Sequence, residues 1–191
     1  GVFRAILTLE GETVVGVDAV IGYLHRCHEK LGESLTYTQY PSIASKTDYI
    51  AAMTSELAYV RAAEIVGKIE VPKRAQYLRV IAAELQRVAS HCLWLGTWCL
   101  DMGGGRGGGA TIFLYCIRER ELVLDLFEML TGARLLYGFH QIGGVRYDLP
   151  AGWAQKCRET IAVIERRLNE YEDMLERNAF FQARTQGVGT I

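Results

Sequence analysis

The chain has 191 residues, half of them hydrophobic, and a formal net charge of −1. That suits a globular chain with a sizeable core, and it gives no general attraction to nucleic acid or anionic lipid. No apolar run reaches the roughly 18–20 residues of a membrane span, and no signal peptide pattern opens the chain. It begins at Gly1, in a strand-like pattern without Met, and so reads as a processed or excised segment. Five cysteines (Cys27, Cys92, Cys99, Cys116, Cys157) are scattered, with no Cys-x-x-Cys pair. Free, mostly buried thiols in a reducing compartment follow from that usage.

Residues 2–9 and 13–20 alternate as two strands around Glu10-Gly11-Glu12, and an antiparallel hairpin is the economical assignment. Both strands carry apolar residues on both faces, so something is expected to cover the sheet. His25, Arg26, Cys27, His28, Glu29 and Lys30 then crowd together. A tetrahedral metal site needs four ligands, and no second cluster supplies a matching pair. A polar segment that touches a partner is the better reading, and no metal is expected. Residues 36–47 read as a loop, with Ser45 or Thr47 capping a helix that runs to about Val66 along the stripe Ile50, Met53, Leu57 and Val60. Tyr49 falls in its first turn. As a purely structural residue, it would pack its ring on the sheet and leave its hydroxyl at the surface.

The longest pattern starts at Pro72 and breaks at Gly103. Leu78, Ile81, Leu85, Val88, Cys92, Leu95 and Cys99 recur at helical spacing. Thirty residues make a rod of roughly 45 Å. From Cys92 to Leu100 nearly every face is apolar, so that half is expected to be buried all round. Cys92 and Cys99 stand one heptad apart, which is core spacing rather than metal spacing. Asp101 closes the helix, where the dipole disfavours an anion by about 0.3–1 kcal/mol. It fits either a solvated turn or a site. Six of residues 103–109 are glycine. Ordering such a run costs much backbone entropy, so this joint is expected to be mobile, with Arg106 able to pin it to an acidic partner.

A third helix is expected over about 111–130, with Arg118-Glu119-Arg120-Glu121 as a solvated or salt-bridged face. Gly138 to Asp148 reads as a second irregular stretch. Asp148, ahead of Leu149-Pro150, then starts a fourth helix to about Arg177 on the stripe Trp153, Cys157, Ile161, Ile164, Leu168, Tyr171 and Leu175. The tail beyond 180 is apolar and is expected to continue into, or pack on, something else. The fold class is therefore α+β, mainly α: a small N-terminal antiparallel sheet and polar loop over 1–45, then a four-helix bundle over 46–191 with a glycine-rich joint at 102–110. Sites in bundles are commonly built between facing helices. The two glycine-rich joints and the start of the first long helix are expected to converge at one end of the bundle.

HRCHEK, Asp48-Tyr49, EVPKRAQYLRVIAAEL, LGTWCLD, RERELVLDLFE, GARL, IGGVRYDLP and RTQGVGTI occur in this order along the whole chain. Each is weak alone, but the ordered series resembles the D-type subunit of NADH-quinone oxidoreductase, respiratory complex I, over about the N-terminal half of such a subunit. The resemblance implies a fold shared with the large subunits of nickel–iron hydrogenases. Those need Cys-Gly-x-Cys pairs for their metals, and this segment has none, so hydrogen chemistry at a nickel site is not expected of it. It implies instead a wall of a quinone chamber beside an iron–sulfur cluster held by a partner subunit. Tyr49 aligns with the family's quinone-binding tyrosine. Asp101 aligns with the aspartate that pairs with a loop histidine, and that loop ends just before the glycine matching Gly1. A phenol with its usual pKa of about 10 can hydrogen-bond a quinone oxygen and lend a proton. A carboxylate can orient a charged histidine.

The implied partners are cluster-bearing peripheral-arm subunits and membrane-arm subunits. The implied place is the cytoplasmic side of the inner membrane, or the matrix side in mitochondria. No GxGxxG follows a strand, so NADH would be oxidised on another chain. Three positions depart from the family. Cys27 stands for a glycine, Leu136 for a histidine that lies against the terminal cluster, and Gln141 for an arginine. The joint after Asp101 is also longer, by about five residues against the family pattern. These departures bear on the cluster's potential and on which quinone and donor are used. The rival reading is a helical scaffold, or a subunit of a related membrane-bound oxidoreductase fed by another donor. The isolated segment is expected to be inactive.

Overall fold

The computed structural model describes residues 2–103 and 108–190. The expectation about the glycine-rich joint, with Arg106, lies largely outside the described residues. By its contacts the chain divides into two compact units, Gly1–Thr36 and Tyr37–Ile191.

The first unit is a hairpin followed by a short helix. Strands β1 (Arg4–Glu10) and β2 (Thr13–Val20) pair antiparallel, with Arg4 opposite Val20 and Glu10 opposite Thr13. Gly11, at φ +60, makes the turn that an L side chain resists. The register slips between Thr8 and Leu9, and that bulge absorbs the odd residue. The expected cover is not found: Ile6, Leu7, Leu9, Val14, Val15 and Val17 are all exposed. Helix α1 (His28–Gly32) follows, capped by Cys27 in the left-handed region at φ 56.

The second unit is helical. It comprises α2 (Pro41–Ala44), α3 (Ala52–Gly67), α4 (Lys73–Met102), α5 (Gly108–Thr131), a minute hairpin of β3 (His140–Gln141) and β4 (Gly144–Val145), α6 (Trp153–Glu176) and α7 (Ala179–Thr185). Four of these helices have bundle length, as the periodicity implied. Residues 37–45, grouped with the sheet on sequence grounds, pack here instead. Tyr59 donates to the Tyr37 carbonyl at 3.0 Å and stacks obliquely on Tyr40.

Several boundaries move. The loop over 36–47 contains α2, with Pro41 in its first turn. Neither Ser45 nor Thr47 caps α3. The Asp48 carboxylate does the nearest equivalent, accepting from the amides of Ile50 and Ala51 at 3.3 Å each. Tyr49 thus precedes the helix rather than opening it. Pro72 is the N-cap of α4, just outside its first turn. Asp148 does not start α6, whose N-cap is Gly152 at φ +78. Asp148 is engaged by Arg74 through three contacts of 2.7–3.2 Å.

The main core joins Met53 of α3, Leu78, Ala82 and Leu85 of α4, Val123, Leu126 and Phe127 of α5, Phe139, and Trp153 with Cys157 of α6. Each large side chain buried there contributes about 1.5–3 kcal/mol. The Trp153 indole finds its partner in the Leu126 carbonyl, at 2.8 Å. A second cluster joins Cys99, Ile112, Cys116 and Tyr171. Helices α4 and α5 approach closely at two glycines. A Cβ on Gly96 would stand 3.0 Å from the Phe113 ring and 3.2 Å from the Cys116 Cβ, and one on Gly109 would overlap the Cys99 carbonyl.

The α6 stripe is narrower than its spacing implied. Trp153, Cys157, Thr160 and Tyr171 are buried, whereas Ile161 and Leu168 are exposed. The last turns of α4 are likewise not buried all round. Gly96 and Cys99 face α5, but Trp94 and Leu100 are exposed.

Candidate functional site

Three structural nodes set the frame of the second unit. At the base of α4, the Arg79 guanidinium donates to both oxygens of Glu64 at 2.9 and 2.6 Å and to the carbonyls of Gln141 and Gly144. Both side chains of this pair are nearly fully buried. The Gly143 amide donates to Glu64 as well, at 2.8 Å. Arg79, with help from that amide, holds the Glu64 carboxyl below the usual range against the effect of burial. The second glycine joint is therefore fastened to the foot of α4. The first joint follows Met102, about 23 residues and roughly 34 Å farther along the same helix. The two joints do not converge at one end of the bundle.

Midway, Glu56 is fully buried and accepts from the amides of Gly138, Phe139 and His140 at 3.0, 3.1 and 3.4 Å. Toward the far end lies Glu119, also fully buried. Burial pushes its carboxyl up, but Arg118, Tyr171 and Arg167 more than offset this and leave it lowered. Arg118 contacts both oxygens at 2.7 Å, the Tyr171 hydroxyl donates at 3.0 Å, and Arg167 donates at 3.1 Å. Arg120 turns inward to the Ala89 carbonyl at 2.8 Å. The four-charge run of α5 is thus salt-bridged, one of its two expected readings, and half of it is buried. Spacing alone gave no sign that Glu56, Glu64 and Glu119 point inward. Apart from Arg118, their partners come from residues 15 to 84 positions away in sequence.

Tyr49 sits in the turn between Asp48 and α3, partly exposed. The next residue pins that turn to α4: the buried Gln86 amide donates to the Ile50 carbonyl at 2.8 Å. Asp101 is exposed in the final turn of α4, beside Gly103 at φ +65. It lies fifteen residues beyond Gln86, roughly 22 Å along the helix axis. Tyr49 and Asp101 therefore do not touch. Ser90, Trp94, Thr97 and Asp101 continue at steps of four and three from Gln86, on one side of the helix. Beyond Gln86 on that side, Trp94, Thr97 and Asp101 are exposed.

The far end of this strip is closed by α7. Phe181 meets Trp98 edge-on at 5.3 Å, Trp98 stacks on Trp94 at 5.7 Å, and Arg184 donates to the Met102 carbonyl. The apolar tail thus packs in part on α4 itself. Leu136, between α5 and β3, and Gln141 are both exposed.

The thiols of α4 and α5 offer no nucleophile here. Burial pushes Cys92 up to about 11 and Cys116 up to about 12, so both stay protonated near neutrality. Among the described residues no group of three or more His, Cys, Asp or Glu is placed to hold a metal ion. Among them, too, no helix is long and apolar enough to cross a membrane.

The second unit is a helical bundle whose longest helix leaves Trp94, Thr97 and Asp101 exposed on one side. Residues 107–191 match the family model described as respiratory-chain NADH dehydrogenase, 49 Kd subunit. The whole chain is 47% identical to the D-type subunit of NADH-quinone oxidoreductase from Clostridium beijerinckii, of which it covers 50%. It is 47% identical to the chloroplastic H-type subunit of NAD(P)H-quinone oxidoreductase from Daucus carota and 46% identical to that of Nephroselmis olivacea, covering 47% and 48% of them. The chain is similar to these quinone oxidoreductase subunits along its entire length, as the ordered motifs implied. It spans about half the length of the relatives it matches.

Proposed function

We propose that the chain forms one wall of the quinone chamber in a proton-translocating, complex I-like NADH-quinone oxidoreductase. Electrons reach the quinone from an iron–sulfur cluster held by a neighbouring peripheral-arm subunit, while membrane-arm subunits lie below. The assembly is peripheral to the membrane on its cytoplasmic side, or on the matrix side in mitochondria. The observation that carries this reading is the exposed strip of α4 at Trp94, Thr97 and Asp101, in a chain 47% identical throughout to a D-type subunit of NADH-quinone oxidoreductase. Reducing a quinone takes two electrons and two protons. Tyr49 donates a hydrogen bond to one quinone oxygen and lends its phenolic proton as charge develops there. Asp101 orients and charges a histidine contributed from outside this segment, which serves the other oxygen. Gln86, which anchors the Tyr49 turn, and Asp101 stand roughly 22 Å apart along the α4 axis, and the headgroup and that histidine bridge the interval.

The test is Tyr49→Phe in the assembled complex. It keeps the ring and removes the hydroxyl. Quinone reduction should slow by the equivalent of about 2–4 kcal/mol of barrier, while assembly and NADH oxidation by an artificial acceptor persist. Asp101→Asn should behave alike. Full quinone turnover in Tyr49→Phe would remove the tyrosine from the site.

The same separation also favours a second reading, a helical scaffold or a component of an oxidoreductase fed by another donor, in which Tyr49 and Asp101 are structural. Inhibitors of the quinone site then fail to protect the Tyr49 turn from hydrogen exchange in the complex.

A further inference from the structure

A cavity of about 280 Å³ opens beside the β3–β4 hairpin, away from the Gln86–Asp101 strip. Thr38, Ser42, Gly138, His140, Gln141 and Arg146 line it, and no carboxylate is among its lining residues. Arg146 follows β4, and its amide donates to the Phe139 carbonyl at 2.9 Å, which sets it across the hairpin from His140. Its guanidinium folds over Gly138, where a Cβ would stand 3.7 Å from Nη1. No ion pair joins Arg146 to a carboxylate among the described residues. The cavity thus holds a cation without a counter-ion.

The second observation is independent. His140 is 1% exposed, and neither of its ring nitrogens has a hydrogen-bond partner. Its Nδ1 stands 3.6 Å from a Glu56 oxygen, too long for a hydrogen bond and close enough for an ion pair. Glu56 is already satisfied by three backbone amides, so a neutral His140 gains little there. Two unpartnered buried nitrogens are costly, and a native fold that keeps them generally uses them.

We propose that this cavity binds one small oxyanion, a carboxylate or a tetrahedral anion, on the Arg146 guanidinium, and that His140 takes up a proton when the anion arrives. The charges account for the coupling. Gly138 lies next to both charges: its amide donates to the Glu56 carboxylate, and the Arg146 guanidinium folds over it. An anion on Arg146 neutralises the guanidinium, so the Glu56 carboxylate then favours an imidazolium at Nδ1. Binding and protonation strengthen each other by the same factor, as linkage requires. The charged groups packed about the hairpin are Glu56 and Glu64 of α3, Arg79 of α4, and Arg146 after β4; Arg79 and Glu64 are paired with each other, which leaves Glu56 and Arg146 to act on His140. The proposal does not rest on the quinone reading. The oxyanion is either a free ion or an acidic side chain presented by a neighbouring subunit.

Isothermal titration of the 191-residue chain with sulfate, which does not titrate near neutrality, and separately with acetate, tests this. Saturable binding is expected, tighter at about pH 6 than at about pH 8, with proton uptake read from buffers of different ionisation heat. Preference for sulfate assigns a free tetrahedral ion, and equal or better binding of acetate assigns a carboxylate such as a partner's side chain. Arg146→Gln, at an exposed position, should weaken binding at least about tenfold. His140→Gln should keep binding and lose the proton uptake. If His140→Gln does not fold, the pH dependence of the wild-type chain and the Arg146→Gln arm decide alone. No saturable binding of either anion, or an affinity indifferent to Arg146→Gln, overturns the proposal.

Discussion

Cys27 caps α1 with φ 56 and ψ 34, a left-handed conformation that costs an L residue about 1–2 kcal/mol. The family resemblance has glycine at this position, and the backbone explains why: the turn is built for a residue without a Cβ. Cys27→Gly should therefore slow amide exchange across α1, by a free energy of about 1 kcal/mol after the extra entropy of glycine is deducted. Faster exchange would show that Cys27 is held by interactions that outweigh its strain. Arg79 makes the opposite case. It is buried against Glu64, so Arg79→Met leaves a buried carboxylate with only the Gly143 amide. The expected loss is about 3–5 kcal/mol in urea unfolding. The sequence could not reveal this node, because Glu64 and Arg79 both read as polar positions on helices whose apolar stripes lay elsewhere. Tyr49 and Asp101 stood out for a different reason: motif order carried them, and periodicity contributed only the odd place of an acid at a helix end.

Among the elements, helices were legible and joints were not. A 3.6-residue period survives in any sequence that buries one face, so the long helices α3, α4, α5 and α6 could be read directly. What the period cannot show is how far each neighbour reaches. Ile161 and Leu168 keep helical spacing yet are exposed, because only contact with another element buries a stripe. The close α4–α5 seam is specified by Gly96 and Gly109, two residues that a hydrophobic pattern passes over. Gly109→Ala would drive a methyl into the Cys99 carbonyl, which belongs to the backbone and cannot swing aside. The helices must part, and thermal unfolding should register a loss of about 1–3 kcal/mol. Gly132→Ala, with open space at its Cβ position but φ +79, serves as the comparison, since its cost is purely conformational.

For the whole molecule, stability should fall in acid in a definite window. Glu64 and Glu119 both have carboxyls lowered in the fold, Glu64 chiefly by Arg79, Glu119 by its arginines and Tyr171 against burial. Their contribution is complete above the unfolded carboxyl value of about 4.3. It is lost as pH drops through the lower folded values, because the unfolded chain then binds more protons. Urea midpoints measured from about pH 6 down to pH 3 should decline through that range, and Glu64→Gln should flatten the slope.

The exposed apolar surface points to a second property of the whole. Ile6, Leu7, Val17, Ile65, Val66 and Trp94 are each more than a third exposed. Surfaces of this kind normally meet partners, so the separate chain should self-associate in sedimentation velocity runs, and a single monodisperse monomer would count against that.

Helix α4 is clamped near its foot by Glu64 and Arg79 and near its head by the tight seam at Gly96 and Gly109. In mechanical terms it is a beam on two supports. The span between them cannot bow without opening the main core, and the last turn, with Asp101, extends past the seam and is stayed by α7 at Met102. A load on that tip is transferred to the supports. Pulling on Asp101 would bear first on the seam and through it on α5, whose Arg120 is tied back to the beam at Ala89.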